Sequence, residues 1–342
     1  MIGPDTLRTE RLVLRRPTEE DRAFWVRLHR DPALYTHAPW AMAESDEVAS
    51  AWFDGVLATW AEQGFGYHVA QDADSGSPLG VGGLRPQDGG ELNLAYRFSV
   101  ESHGQGLARE AARSWVAHGL EWHAGTPVRA LVRPHNTPSV RTAESSGLER
   151  VGEHDDVTGE PPSLVLASPR SAAVGAEGFS ARERTEALDL WEVTTRMGGA
   201  VGFVPDAARE RIEAALNAHA EQMSRGEAVA VTLRSAADHR LLGLGWWVSS
   251  TNPLLAHRRT AYRVMTEPSR RGRNLGRLLM AAMHRVARQS GAELVDLGVR
   301  GGTGTEEFYR RCGYAEVGRL PGGVRVASGD DRDDIWMARR LD

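Results

Sequence analysis

The 342-residue chain runs through one order of predicted elements twice, and this is the strongest constraint on what it can fold into. In the first half two helical runs lead to the strand-like GYHVAQ, LGVGGLRP and ELNLAYRF, then a glycine-rich turn, a long helix, VRALVRP, a short helix and the strands LERVGE and SLVLAS. The second half repeats this with AVAVTLRS, LLGLGWWVSS and TAYRVMTE, a helix opened by SRRGRNLG, then LVDLGVR, TEEFYRRCGY and two closing strands. Letters repeat as well: AYRF at 95–98 and AYRV at 261–264 lie 166 residues apart, and Ala108 and Gly276 lie 168 apart, which implies two extra loop residues in the second copy. A period near half the chain length means duplication of a whole domain, because solenoid repeats are shorter.

The expected fold class is therefore α/β in the α+β sense: two tandem domains, each a mixed, mostly antiparallel sheet flanked by helices. Small and breaker residues in TGEPPSLVLASPRSAAVGAEG place the domains at 1–168 and 179–342, with a linker at 169–178. Within the first domain, Thr18 and Asp21 are spaced as a capping box, and Val48, Trp52, Val56 and Trp60 form a helical stripe at i+4 intervals. The tryptophans read as core and HDD at 154–156 as a solvated loop.

What could a chain of this composition bind? All 41 basic side chains are arginines, so no Walker-loop or Schiff-base lysine is available. A formal net charge of -5 argues against a nucleic-acid partner. The single cysteine, Cys312, excludes an internal disulfide and a multi-cysteine metal site, so no metal is expected. No apolar run is long enough to cross a membrane and no apolar segment follows the first charges, so no membrane partner and a cytoplasmic location are expected.

The stretch SHGQGLAREAARSWVAHGL turns from a strand into a helix with Leu107, Ala111 and Trp115 on one stripe. Gly104 and Gly106 let the chain turn tightly and bring backbone N–H groups close to a ligand, while the helix start favours an anion. A dinucleotide fingerprint would sit early in a βαβ unit, whereas these turns follow an antiparallel meander. A pyrophosphate held by backbone amides without a metal fits better.

That combination resembles the GNAT superfamily of acyl-CoA-dependent N-acyltransferases, whose loop reads Gln/Arg-x-x-Gly-x-Gly/Ala. The first copy offers His103, Gly106 and Ala108; the second offers Arg271, Asn274 and Gly276. The resemblance implies an acetyl-CoA (or other acyl-CoA) site at His103, Gly104, Gln105, Gly106, Leu107 and Ala108, and another at Arg271, Gly272, Arg273, Asn274, Leu275 and Gly276. Through LRTERLVLRRPTEEDR and the N-x-x-S…E…G spacing of Asn136, Ser139, Glu144 and Gly147, the first half resembles the ribosomal-protein N-acetyltransferase branch. The second half resembles small-molecule acetyltransferases that include tabtoxin resistance protein, but departs at two acidic positions. Where those relatives read His-Arg-Ala-Glu it has His257, Arg258, Arg259 and Thr260, and where they read Leu-Asp-Thr it has Leu297, Gly298 and Val299.

Acyl transfer to an amine needs a held donor, an uncharged amine, an oxyanion site and a proton for the leaving thiolate. The resemblance assigns the last role to Ser139 in the first half and Tyr309 in the second, with Asn136 as a coenzyme ligand or loop-ordering residue; Asn136 and Ser139 equally suit helix capping. By residue type, His68, Glu91 and His103 are candidate bases. The expected activity is acetylation of a small metabolite or amino-acid-like amine by direct attack, the first half being the catalyst, with an active second half beside a structural first half as the reverse assignment, and the chain acting as a monomeric pseudo-dimer. Acetylation of a protein or peptide N-terminus and a non-catalytic acyl-CoA sensor are the alternatives.

Overall fold

The computed structural model describes residues 3–341, and the chain divides between Pro169 and Arg170 into two compact units. The first unit is an eight-stranded sheet in the order β1-β2-β3-β4-β5-β6-β8-β7, built from β1 (Thr6–Arg8), β2 (Leu12–Arg15), β3 (Tyr67–Asp72), β4 (Pro78–Pro86), β5 (Leu92–Phe98), β6 (Val128–Val132), β7 (Glu149–His154) and β8 (Ser163–Ala167). The second is a seven-stranded sheet in the order β14-β15-β13-β12-β11-β10-β9, built from β9 (Arg170–Val174), β10 (Ala228–Arg234), β11 (Leu241–Ser249), β12 (Arg258–Thr266), β13 (Leu294–Arg300), β14 (Ala315–Ala327) and β15 (Asp330–Arg340). The expected linker is corrected here, since Arg170–Val174 pairs with β10 from Ala230 to Arg234. Its small residues read as breakers in sequence, but Val174 is buried in the second core, which ties the segment to that sheet.

In each unit one parallel pair interrupts an antiparallel sheet. Strands β5 and β6 pair only at Leu92 with Val128 and Asn93 with Arg129, so the rest of β5, to Phe98, runs on without β6. Likewise β12 and β13 pair only over Arg258–Thr260 and Leu294–Asp296. A splayed parallel pair leaves alternate backbone N–H groups of one strand free toward the gap.

Helices cover both faces of each sheet. In the first unit α1 (Arg22–His29) and α2 (Asp46–Gln63) lie on one face, and α3 (Leu107–Trp122) and α4 (Thr137–Ser145) on the other. The stripe on α3 packs as its spacing dictates, with Leu107, Ala111, Trp115 and Val116 at 5% exposure or less. On α2 the buried stripe is Ala49, Phe53, Val56 and Trp60; Trp52, expected on that stripe, is 41% exposed. Ser45 caps this helix by accepting from the Val48 N–H at 3.3 Å, and Gly64 ends it at φ 72°. The second unit uses α5 (Ala181–Arg196), α6 (Arg209–Ser224), α7 (Leu275–Gln289) and the short α8 (Thr305–Arg311).

The architecture repeats more faithfully than the letters. Tyr96 packs beside Trp115 and donates to the Ser139 carbonyl of α4, whereas Tyr262 lies near His219 of α6, on the opposite face of its sheet. The residue that corresponds to Tyr262 is Ala95, since each stands two positions beyond the last parallel-paired residue, Thr260 or Asn93. The matching tetrapeptides are therefore one residue out of register, which in a strand reverses every side chain. One extra residue of the second copy lies within the strand. Between the pairs Trp246 with Tyr262 and Leu244 with Met265, β12 has two residues where β11 has only Gly245, a bulge at which Arg263 adopts φ 52°.

Candidate active site

The loop after β5 is a backbone surface. Gly104 and Gly106 both sit at φ 75°, a conformation that glycine adopts without a Cβ penalty, and Gly106 directly precedes α3. Among the described residues no protein group accepts from the N–H of Gly104, Gln105, Gly106, Leu107, Ala108 or Arg109. The loop is braced from behind. Arg11 donates to the Gln105 carbonyl at 2.9 Å and, through Nε, to Glu110 at 2.7 Å, while the Thr9 hydroxyl donates to Glu110 at 2.6 Å. The side chains of His103 and Gln105 turn back to the carbonyls of Phe98 and Glu101, at 3.1 and 2.7 Å, so each helps to shape the loop.

The second loop keeps the shape with a different residue. Asn274, at φ 63° and ψ 1°, takes the left-handed conformation that Gly106 takes at φ 75° and ψ 9°. Asparagine tolerates this region better than other side chains, which explains the substitution. Fewer donors remain open there: the N–H groups of Arg271 and Arg273 are bonded to Pro268 and Arg270 carbonyls, while Leu275 and Gly276 have no protein acceptor among the described residues. Gly276 has a packing reason of its own, because a Cβ on it would stand 3.1 Å from the Phe308 ring of α8.

A pocket of about 680 Å³ opens in the first unit beside β5, lined from α1 and α2 by Trp25, His29, Trp52 and Val56 and from the sheet by Tyr67, Arg85, Ala95, Tyr96 and Arg97. The row Tyr67, Gly83, Ala95 across three strands is small at its centre, and Tyr67 and Ala95 of that row line the pocket. Gly83 has φ 148° and a Cβ there would lie 2.6 Å from the Gly66 carbonyl oxygen, so only glycine fits. In the second unit the corresponding row is Ala230, Trp246, Tyr262. Trp246 is fully buried against Trp191 and stacks on His219 at 4.8 Å, filling the equivalent face with core.

Ser139 and Asn136 come together with a residue that sequence reasoning left out. Asn136 accepts from the Ser139 N–H at 3.3 Å and so caps α4, and the Tyr96 hydroxyl donates to the Ser139 carbonyl at 3.1 Å. The Ser139 and Thr142 side chains also interact with the Tyr96 phenol, opposing the effect of its burial. Burial pushes the Tyr96 phenol up to about 12, so it keeps its proton. Glu144 pairs with Arg150 on the surface.

None of the bases named by residue type lines the pocket. His68 is enclosed between Trp60 and Trp115, with neither ring nitrogen bonded, and burial lowers its pKa to about 3. Glu91 pairs with Arg129, and His103 belongs to the loop. The imidazole that does line the pocket is His29, which stacks on Trp25 at 4.0 Å. Its Nδ1 lies 2.9 Å from the Trp25 carbonyl oxygen, which can only accept, so Nδ1 carries the proton and Nε2 keeps its lone pair. Burial, aided by the Arg97 charge, holds its pKa down to about 4. A helical HRD ending gave no hint of this role.

In the second unit Tyr309 sits at the end of α8 against Phe308 and Tyr314, its phenol pKa raised by burial. A carboxylate does lie near Thr260: Asp296 is ion-paired with Arg258 and accepts from the Thr260 hydroxyl at 3.0 Å. Both partners occupy it, so it is a structural tie between β12 and β13. Among the described residues no cluster of three His, Cys, Asp or Glu is arranged to hold a metal ion. No helix among them is long and apolar enough to cross a membrane.

Residues 11–149 match one model described as an acetyltransferase (GNAT) domain, and residues 230–316 match a second of the same description. The chain carries two GNAT acetyltransferase domains in tandem. An uncharacterized Bacillus subtilis protein, YkkB, is 27% identical over 152 residues, covering 43% of this chain and 87% of its own. Among solved structures, an acetyltransferase from Agrobacterium tumefaciens is 24% identical, with 49% of this chain and 95% of that one covered at a TM-score of 0.42. A GNAT-family acetyltransferase from Bacillus anthracis is 18% identical, with 47% and 96% covered at a TM-score of 0.41. GNAT membership implies an acyl-CoA co-substrate, and the six open N–H groups before and within the first turn of α3 fit its pyrophosphate.

Proposed function

We propose that the N-terminal GNAT domain transfers an acetyl group from acetyl-CoA to the amine of a small, amino-acid-like metabolite. One observation carries this reading: the single strand β5 supplies Ala95, Tyr96 and Arg97 to the pocket and leads by one short turn into the open N–H loop at 104–109. A coenzyme held at that loop and an acceptor in that pocket would meet along the unpaired part of β5.

Acetyl-CoA supplies an activated thioester. The N–H groups of Gly104–Arg109 hold its pyrophosphate, and an outward backbone N–H of Leu94–Phe98 stabilises the carbonyl oxygen as it becomes an oxyanion. His29, neutral at pH 7, accepts the amine proton at Nε2. Tyr96, with Ser139 beside it, is placed to return a proton to the leaving thiolate. The C-terminal domain, with its filled face and occupied Asp296, acts as a degenerate partner.

Calorimetric titration with acetyl-CoA tests this through two near-isosteric variants. Gly106→Asn copies the second loop and keeps the left-handed turn, so binding survives; Gly106→Asp adds a carboxylate beside the pyrophosphate, and affinity falls roughly a hundredfold, about 2.7 kcal/mol. Unchanged affinity in Gly106→Asp would remove the coenzyme from this loop.

A further inference from the structure

From the pocket's charge we infer that the acceptor amine carries a carboxylate on a flat apolar body, with Arg97 and Arg85 as its specificity determinants. The inference rests on the reading of this pocket as the acceptor site. It narrows the substrate to an anionic, aromatic amino-acid-like amine and turns away polyamines, aminoglycosides and other polycations.

Arg97 is the central observation. Burial lowers its pKa, so the charged form is short of solvation. Yet among the described residues its one hydrogen bond is a donation to the Leu34 carbonyl at 3.2 Å, and it lies over the face of Tyr35, 3.6 Å from the ring centroid. A guanidinium has five N–H donors in a fixed fork that matches a carboxylate. Among the described residues neither Arg97 nor Arg85 has an acidic partner, and no Asp or Glu lines the pocket. Other arginines of the first sheet, such as Arg15, Arg129 and Arg150, are ion-paired. The buried Arg97 guanidinium without an acidic partner, with the exposed Arg85 beside the same cavity, favours an anion and opposes a further cation.

The rest of the lining fixes what carries the anion. Trp25, Trp52, Tyr35 and Tyr67 present ring faces and edges, which favour a planar or branched apolar group over a polyhydroxylated one. His29, the one neutral base in the lining, then serves the amine end.

The test is binding of product analogues to the full chain, measured by calorimetry and independent of turnover. N-acetyl-L-phenylalanine and N-acetyl-L-tryptophan are compared with their primary amides, in wild type, Arg97→Gln and Arg85→Gln. A charge-assisted carboxylate contact predicts at least a roughly tenfold preference for the acids in wild type, most of it lost in Arg97→Gln and part of it in Arg85→Gln, an exposed position that leaves folding intact. Equal binding of acid and amide, or no binding of either at millimolar concentration, overturns the inference. So does tighter binding of phenethylamine or spermidine than of the acids. Acetyl-CoA binding in the Gly106 variants is read separately, so loss of the coenzyme site and loss of the anion preference are distinguishable.

Discussion

The two domains share strand order, splayed parallel pair and the left-handed residue before the long helix, yet they spend the same sheet face differently. In the first domain the row is small at Gly83 and Ala95 and the face carries a pocket under α1 and α2; in the second Trp246 fills the centre of the equivalent row and joins the core, with Tyr262 exposed at its edge. The bulge at Arg263 completes the difference by turning that arginine toward Trp191, with its guanidinium 5.7 Å from the ring centroid, where Arg97 of the first domain faces a cavity. Duplication thus preserves the scaffold, while the open or filled state of this face follows whether the centre of one three-residue row is small or large.

The largest expected effect breaks the filled side of this comparison. Trp246→Ala removes a fully buried indole and costs about 3–5 kcal/mol, read as a fall in the C-terminal domain's unfolding midpoint in urea, with no gain in turnover per folded molecule. An increase in acetyl transfer would show that the second domain is a closed enzyme. On the open side, Ala95→Leu puts a larger side chain into the pocket and is expected to raise the acceptor KM at least about tenfold while the acetyl-CoA affinity holds. Equal loss of both would place the coenzyme in the pocket.

Proton delivery sharpens the comparison further. Tyr96→Phe is expected to lower kcat roughly tenfold with little change in KM, whereas Tyr309→Phe leaves kcat within about twofold. The reverse pattern would transfer catalysis to the C-terminal domain.

The smallest effect is on acid stability. Burial lowers the pKa values of His29, His123 and His219 to about 4 and that of His68 to about 3, below their ordinary 6.5. Between these values the unfolded chain binds more protons than the folded one, so stability is full above pH 6.5 and is lost as pH falls toward 4 and below. His68→Leu removes a buried ring with no hydrogen-bond partner. It should leave the Tm near its wild-type value at pH 7 and reduce the fall at pH 5; an unchanged fall would mean that His68 does not contribute.

Much of this was legible in the sequence, and what was not has definite causes. Glycine spacing located the tight turn before α3, because φ 75° at Gly104 and Gly106 is a backbone demand that few residues meet. The alternating runs located the central strands and the helical stripes most of the core. The repeated AYRF and AYRV misled, because letters carry no information about which face of a strand a tyrosine occupies. The pocket was hidden for a related reason: Trp25, His29, Trp52, Tyr96 and Arg97 converge from three separate elements, and on each element they read as ordinary core or surface. Asn136 caps α4 by accepting from the Ser139 N–H, the structural role that its residue type suited in the sequence.

The central claim, that the first domain performs the chemistry, is tested most directly by turnover of matched variants of the intact protein. Gly106→Asp and Asn274→Asp put the same carboxylate at the same left-handed position of the two loops, both within the backbone tolerance of aspartate. Acetyl-CoA-dependent release of free thiol with a carboxylate-bearing amine should fall by about two orders of magnitude in kcat/KM for Gly106→Asp and stay within about twofold for Asn274→Asp. Loss confined to Asn274→Asp would contradict the account and make the C-terminal domain the enzyme.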